Sequence, residues 1–240
     1  MDRTWIRFSR EGDVFSTDTG TSPRVYVVDL DQCDLDEDGL ARLLPTEEVH
    51  EAARLRTAQL RRRRLAARAV LRTILGRWLA REPRELQIER TELGKPYMVG
   101  GPSFNLSHSG PLVLVAVRPS GRLGVDIEVR RHAAELEAIA HHFFHGKEWE
   151  ELKKDPRGLT EAFHRTWVRK EALLKALGTG LHTPLHRFIV DTGVLAEGRN
   201  ALRGMDIPGE RPERWTIAPL QVAAVADAAV AWDEPRSIRT

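Results

Sequence analysis

Two carboxylates, Asp126 and Glu128, stand one residue apart in the segment LGVDIEV, 123–129. Read as a strand, this segment puts Val125 and Ile127 on one face and both acids on the other. Like charges so placed repel one another unless a cation lies between them. A hard divalent cation accepts such oxygen ligands; a strand with one solvated face is the plainer alternative. Downstream, FHRTWVRKEALLKALGTGL (163–181) carries Lys170, Glu171 and Lys175. Glu171 and Lys175 are four apart and therefore neighbours on a helix, where an exposed pair contributes about a few tenths of a kcal/mol. Lys170 argues for more. It intrudes into an apolar arc of Phe163, Trp167, Leu174 and Leu177, where a lysine needs a partner or a ligand.

Phe104–Gly110, FNLSHSG, offers Ser107 beside His108. A hydrolytic Ser–His couple is disfavoured, because the G-x-S-x-G elbow is absent and neighbours on an extended chain face opposite ways. Two readings stay open: small polar residues satisfying backbone groups, or hydroxyls and an imidazole binding phosphate oxygens. Gly94-Lys95-Pro96 reads as a turn, since the upstream glycine of a phosphate loop is missing. Arg54, Arg61, Arg68 and Arg72 share a narrow helical arc, as a solvated face, a nucleic-acid surface or a small phosphate site. Without interleaved aromatics or a groove-reading motif, nucleic acid ranks last. His141, His142 and His145 lack an H-E-x-x-H pattern and flank Phe143 and Phe144, so packing is preferred over metal.

The elements that must position these residues follow from periodicity. A helix is expected over 161–177, with Thr160 as N-cap and Gly178 as its left-handed exit. One helix-rich stretch is expected from Pro45 to Pro83, with Thr46 as N-cap and Leu60, Ala67, Leu71, Ile74 and Leu75 facing the core. Strands are expected at 24–30, 86–92, 111–117 and 123–129, the last two as a hairpin around Pro119-Ser120-Gly121. Thr21, Ser22 and Pro23 supply a turn before the first. Residues 133–152 read as helical, and 186–192 and 215–231 as strands.

At 240 residues the chain can bury a full core, and a formal charge of +2 says little about partners. The single cysteine, Cys33, excludes an internal disulfide and a multi-cysteine zinc site. No apolar run reaches transmembrane length, and the opening MDRTWIRFSREGDV lacks a signal-peptide core, so a cytoplasmic protein without membrane association is expected.

Taken in order, Gly94–Pro96, Phe104–Ser109, Gly124–Glu128 and Trp167–Leu181 resemble the 4′-phosphopantetheinyl transferases of the surfactin-synthetase-activating (Sfp) type. The resemblance covers roughly the middle two-fifths of the chain. It implies an α+β fold of two similar halves in a pseudo-two-fold arrangement, here 1–118 and 119–240, with coenzyme A between them. It implies transfer of the phosphopantetheine arm of coenzyme A to a serine of an apo acyl or peptidyl carrier protein, releasing adenosine 3′,5′-bisphosphate. Such carriers serve nonribosomal peptide, polyketide or fatty-acid synthesis. By the same resemblance Asp126, Glu128 and Glu171 hold Mg²⁺, Glu171 acts as base and Lys175 steadies the departing phosphate. Lys170 projects into the cleft, Ser107 and His108 contact coenzyme A phosphates, and Arg90 and Lys95 hold its nucleotide end. Arg54 with Arg63 or Arg68 would serve the 3′-phosphate, because Glu48 and Glu51 occupy positions where relatives often carry basic residues. A monomer is expected from the fused halves. A coenzyme A- or carrier-binding module without catalysis is the competing reading.

Overall fold

Leu112–Arg118 (β5) is buried at all seven positions, as its continuous apolar run demands. It pairs antiparallel with Arg24–Asp29 (β1) on one side and Ser103–Ser109 (β4) on the other. The computed structural model describes residues 22–196, 198–222 and 224–234. Thr21 and the opening segment read above as lacking a signal-peptide core lie outside them.

Between β1 and β4 run helices Glu37–Arg42 (α1), Thr46–Ala53 (α2) and Ala58–Leu79 (α3), then the short pair Glu89–Arg90 (β2) and Pro96–Tyr97 (β3). The second half repeats this order. Leu123–Val129 (β6) leads to Leu136–Phe143 (α4), Gly146–Leu152 (α5) and Leu159–Leu177 (α6). The paired strands Phe188–Val190 (β7) and Leu202–Met205 (β8) follow, then Trp215–Leu220 (β9) and Ala226–Asp233 (β10). Sheet orders β1-β5-β4 and β6-β10-β9 are the same: first strand, last strand, penultimate strand. The expected α+β fold of two similar halves is thus what the chain adopts.

Each long helix covers one sheet. The core under α3 includes Val70, Leu71, Leu75, Val113, Val115 and Val117, and that under α6 includes Ala172, Leu173, Trp215, Ile217 and Ala231. A third core joins the opposite faces of both sheets through Val25, Leu114, Ala116, Val125, Ile127 and Val230. The halves are therefore fused by apolar burial as well as by the connecting turn.

Several expectations change. The hairpin between 111–117 and 123–129 does not form, because β5 is already paired on both edges and β6 pairs with β10. The helix-rich stretch breaks after Ala53, where Thr57 caps α3 by accepting from the Leu60 N–H at 3.2 Å. Thr46 is the first residue of α2 after Pro45, and α6 begins at Leu159 after Gly158, so neither Thr46 nor Thr160 is a cap. Residues 133–152 form two helices separated at Phe144, and 215–231 splits into β9 and β10. Leu60 is 50% exposed, whereas Ala67, Leu71, Ile74 and Leu75 are buried.

Candidate active site

The edge strands β4 and β6 lie side by side without a backbone ladder between them. Side chains take its place. The N–H groups of Val125, Ile127 and Val129 donate to Asn105 Oδ1 (2.9 Å), Ser107 Oγ (3.4 Å) and Ser109 Oγ (3.0 Å). Alternation along β4 turns these three residues toward β6, and Leu106 and His108 away from it. Of the two open readings of NLSHS, the backbone one holds for the residues that face β6. Ser107 satisfies backbone, and His108 faces a cavity.

The same hydroxyls orient the acids. Ser107 donates to Asp126 Oδ1 at 2.8 Å, and Ser109 donates to Glu128 Oε2 at 2.8 Å. Helix α6 crosses β6 at Gly124, where a Cβ would come within 2.2 Å of the Ala172 carbonyl oxygen. Only glycine permits that approach. The crossing puts Lys175 Nζ 2.6 Å from Asp126 Oδ1 and 2.9 Å from Ser107 Oγ. Ser107 thus makes one donation and two acceptances, the full capacity of a hydroxyl.

Asp126 is 3% exposed, and its other oxygen, Oδ2, is buried with no hydrogen-bond partner. Burial raises the Asp126 carboxyl above the usual range despite Lys175, and burial followed by repulsion from Asp126 raises Glu171 likewise. Among the described residues no three His, Cys, Asp or Glu side chains already converge on one point. The donor set nevertheless fits a hard cation. It offers a buried carboxylate oxygen without a donor, next to Glu128, whose charge helps raise Asp126, and Glu171, which Asp126 and Glu128 both raise.

Lys170 is corrected. It is fully buried on the opposite side of α6, paired with Glu148 at 2.8 Å and donating to the carbonyls of Leu185 (2.9 Å) and Phe188 (2.7 Å). Its interruption of the apolar arc signals an internal partner rather than a ligand, and its ammonium is committed to Glu148 and two carbonyls. Glu148 also accepts from His145 N–H within the cap of α5, which explains part of the histidine cluster.

Lys95 is corrected as well. Its ammonium donates to Leu123 O and Ala176 O, both at 3.0 Å, tying the β2–β3 turn to β6 and to the C-terminal turn of α6. Burial, then repulsion from Arg122, lowers its pKa to about 8. In this arrangement its ammonium holds the two halves together, committed to backbone carbonyls instead of a ligand.

A cavity of about 410 Å³ lies between α3 and β4. Arg63, Arg64, Arg68, Arg90 and His108 line it over an apolar floor that includes Leu71 and Leu106, and no carboxylate does. Burial lowers Arg68 and His108, and Arg64 and Lys175 lower His108 further, so cavity and acid cluster adjoin. Arg63 is also held by Asp31 at 2.8 Å. Arg54 lies exposed at the end of α2 and is not part of the lining.

The arginine ridge is not a continuous face. Arg72 is buried against Glu48 and the carbonyls of Pro83 and Leu86, and Arg61 donates to Leu55 O. Glu48 thereby acquires a role that its unexpected charge did not announce. Arg64 was hidden in a run of four arginines; its spacing of four from Arg68 is the signal that marks a shared helix face.

Comparison with known proteins follows the same division of the chain. A family model described as 4′-phosphopantetheinyl transferase superfamily matches residues 122–232, and one described as 4′-phosphopantetheinyl transferase, N-terminal, matches residues 36–120. The 4′-phosphopantetheinyl transferase HetI of a Nostoc species is 38% identical over 163 residues, covering 65% of this chain and 69% of that protein. A 4′-phosphopantetheinyl transferase of Bacillus subtilis is 31% identical over 158 residues, covering 65% and 69%. The human L-aminoadipate-semialdehyde dehydrogenase-phosphopantetheinyl transferase is 30% identical over 145 residues, covering 55% of this chain and 47% of that protein.

Proposed function

The chain belongs to the 4′-phosphopantetheinyl transferase superfamily, and from that premise we propose that it moves the phosphopantetheine arm of coenzyme A onto a serine of an apo acyl or peptidyl carrier protein. The observation that carries this reading is the buried Asp126, with its unsatisfied Oδ2 and with Glu171 and Lys175 brought beside it by α6.

Coenzyme A would lie with its nucleotide phosphates against Arg64, Arg68, Arg90 and His108 and its diphosphate toward Asp126. Arg63 would join once released from Asp31. Asp126, Glu128 and Glu171 would hold Mg²⁺, which supplies charge neutralisation at the diphosphate oxygens. In the transfer the carrier serine Oγ forms a bond to the phosphorus bearing the pantetheine arm. The bond from that phosphorus to the bridging oxygen breaks, and adenosine 3′,5′-bisphosphate leaves with the electron pair. Glu171, its carboxyl raised by burial, accepts the serine proton. Lys175 shifts from Asp126 to the departing phosphate and offsets its charge. Lys95 and Ser107 position α6 and β6 for this and touch no reacting atom.

The surfactin-synthetase-activating subtype, a monomeric and cytoplasmic state and carriers of nonribosomal peptide or polyketide synthesis belong to the same proposal, as does a division into halves at 118/119. Incubation with coenzyme A, Mg²⁺ and a panel of apo carriers should add one phosphopantetheine mass to a carrier. Coenzyme A binding by calorimetry with no mass gain on any carrier would replace the transferase with a binding module.

A further inference from the structure

The repeated order of elements produces a second cavity in the C-terminal half. The first is framed by α3, β4, the residue after β1 (Leu30) and the turn before α3 (Leu55). The second, about 190 Å³, is framed by the counterparts of each. Glu161, Arg165 and Arg169 come from α6, Gln221 follows β9, Arg130 follows β6, and Arg157 lies in the turn before α6. Four guanidiniums face it, and the carboxylates in its wall are Glu161 and Asp227.

These charges are unevenly matched. Asp227 holds Arg130 in a two-point contact, with Oδ1 3.0 Å from Nη2, and Asp155 holds Arg165, which also donates to Thr192 O. Arg169 has no carboxylate in ion-pair contact among the described residues. It is 2% exposed, and its guanidinium donates to the backbone carbonyls of Asp191 and Gly193, the latter at 2.9 Å. Burial, then repulsion from Arg165, lowers its pKa to about 10, and the charges of Asp191 and Asp227 offset part of that. Arg157 is exposed at the rim, and no contact of its guanidinium with another described side chain is present. A buried guanidinium hydrogen-bonded to carbonyls, with no carboxylate in direct contact and an open cavity beside it, can accommodate a further anion.

We propose that this cavity is a second oxyanion site, with Arg169 at its base and Arg157 closing over it, taking a single phosphate group. The volume falls below the roughly 300 Å³ at which small-molecule pockets begin, so a nucleotide does not fit. Planar guanidiniums lining one cavity suit the oxygens of a phosphate better than a lone ammonium would. The site does not depend on the transferase reading.

Titration calorimetry with inorganic phosphate on the full chain tests it. Arg64→Ala/Arg68→Ala weakens the first cavity, where Arg63 is held by Asp31, and one phosphate per chain should still bind at the second. Adding Arg157→Glu should weaken that binding by about tenfold or more, the value of one charge-assisted contact. Adding Arg169→Met should remove it. Because Arg169 is buried and its variant can fail to fold, the rim variant is decisive. No binding to Arg64→Ala/Arg68→Ala at roughly millimolar phosphate, or unchanged binding with Arg157→Glu, overturns the proposal. Tighter binding of O-phosphoserine than of phosphate would assign the site to a phosphoryl group carried on a chain, and the reverse to free phosphate.

Discussion

The two halves share one plan of elements and differ in how they spend their charges. In the N-terminal cavity four arginines and His108 line the wall with no acid among the lining residues, although Asp31 holds Arg63 from outside it. In the C-terminal cavity Asp227 and Glu161 enter the wall and the volume is less than half. The acids of catalytic interest show the opposite bias. β6 carries Asp126 and Glu128 within its length, whereas its counterpart β1, RVYVVD, has no acid before its last residue. Under the proposed function, one half would supply cations for a large anion and the other carboxylates for a cation. A duplicated fold divides the labour by side-chain charge alone.

The comparison breaks most readily at β6. Asp126→Asn or Glu171→Gln should lower transfer to a carrier by about 10²–10⁴-fold, read as phosphopantetheine mass on the carrier. Comparable activity in either variant would remove the C-terminal half from the chemistry. Next in size is the ion pair under α6. Glu148→Ala leaves Lys170 buried without its carboxylate and should cost about 3–5 kcal/mol in urea unfolding. Glu148→Gln/Lys170→Met should recover most of that, because both partners are then uncharged.

In the N-terminal cavity, Arg68→Ala should raise the KM for coenzyme A by about 10–100-fold with little change in kcat. Arg157→Ala in the C-terminal cavity should leave that KM unchanged, and a rise would erase the distinction drawn between the cavities. The smallest effect concerns Lys95. As a tether it should not set the preference for coenzyme A over dephospho-coenzyme A, so Lys95→Met should retain that preference while lowering kcat. Its depressed pKa also has a sign. Between about 8 and the ordinary 10.5 the unfolded chain holds a proton that the folded chain has released. Stability should therefore gain a contribution as pH rises through that window, and Lys95→Met should lack it when urea midpoints are compared across it.

Much of the site was legible from local pattern. Period-two alternation placed Asp126 and Glu128 on one face of β6, and the spacing of four placed Glu171 beside Lys175. Alternation also separated Ser107 from His108. What misled was Lys170, since an apolar arc broken by a lysine has the same appearance whether the partner is a ligand or a buried glutamate. Lys95 misled for a related reason: a turn lysine can reach outward to a phosphate or across to a helix end, and residues 81 positions apart decide which. The 111–129 segment has every local mark of a hairpin, yet β5 had no free edge to offer.

Residue order alone determined which side chains carry charge, which strands must be buried, and that Gly178 ends α6 in the left-handed region. Those properties depend on covalent identity and on periods of two or about 3.6 residues. Tertiary packing decided the partners: β4 zipped to β6 by hydroxyls, α6 laid across Gly124, Lys175 resting on Asp126. A charge acquires its role from what lies within a few ångströms, and in this fold those neighbours come from distant parts of the chain.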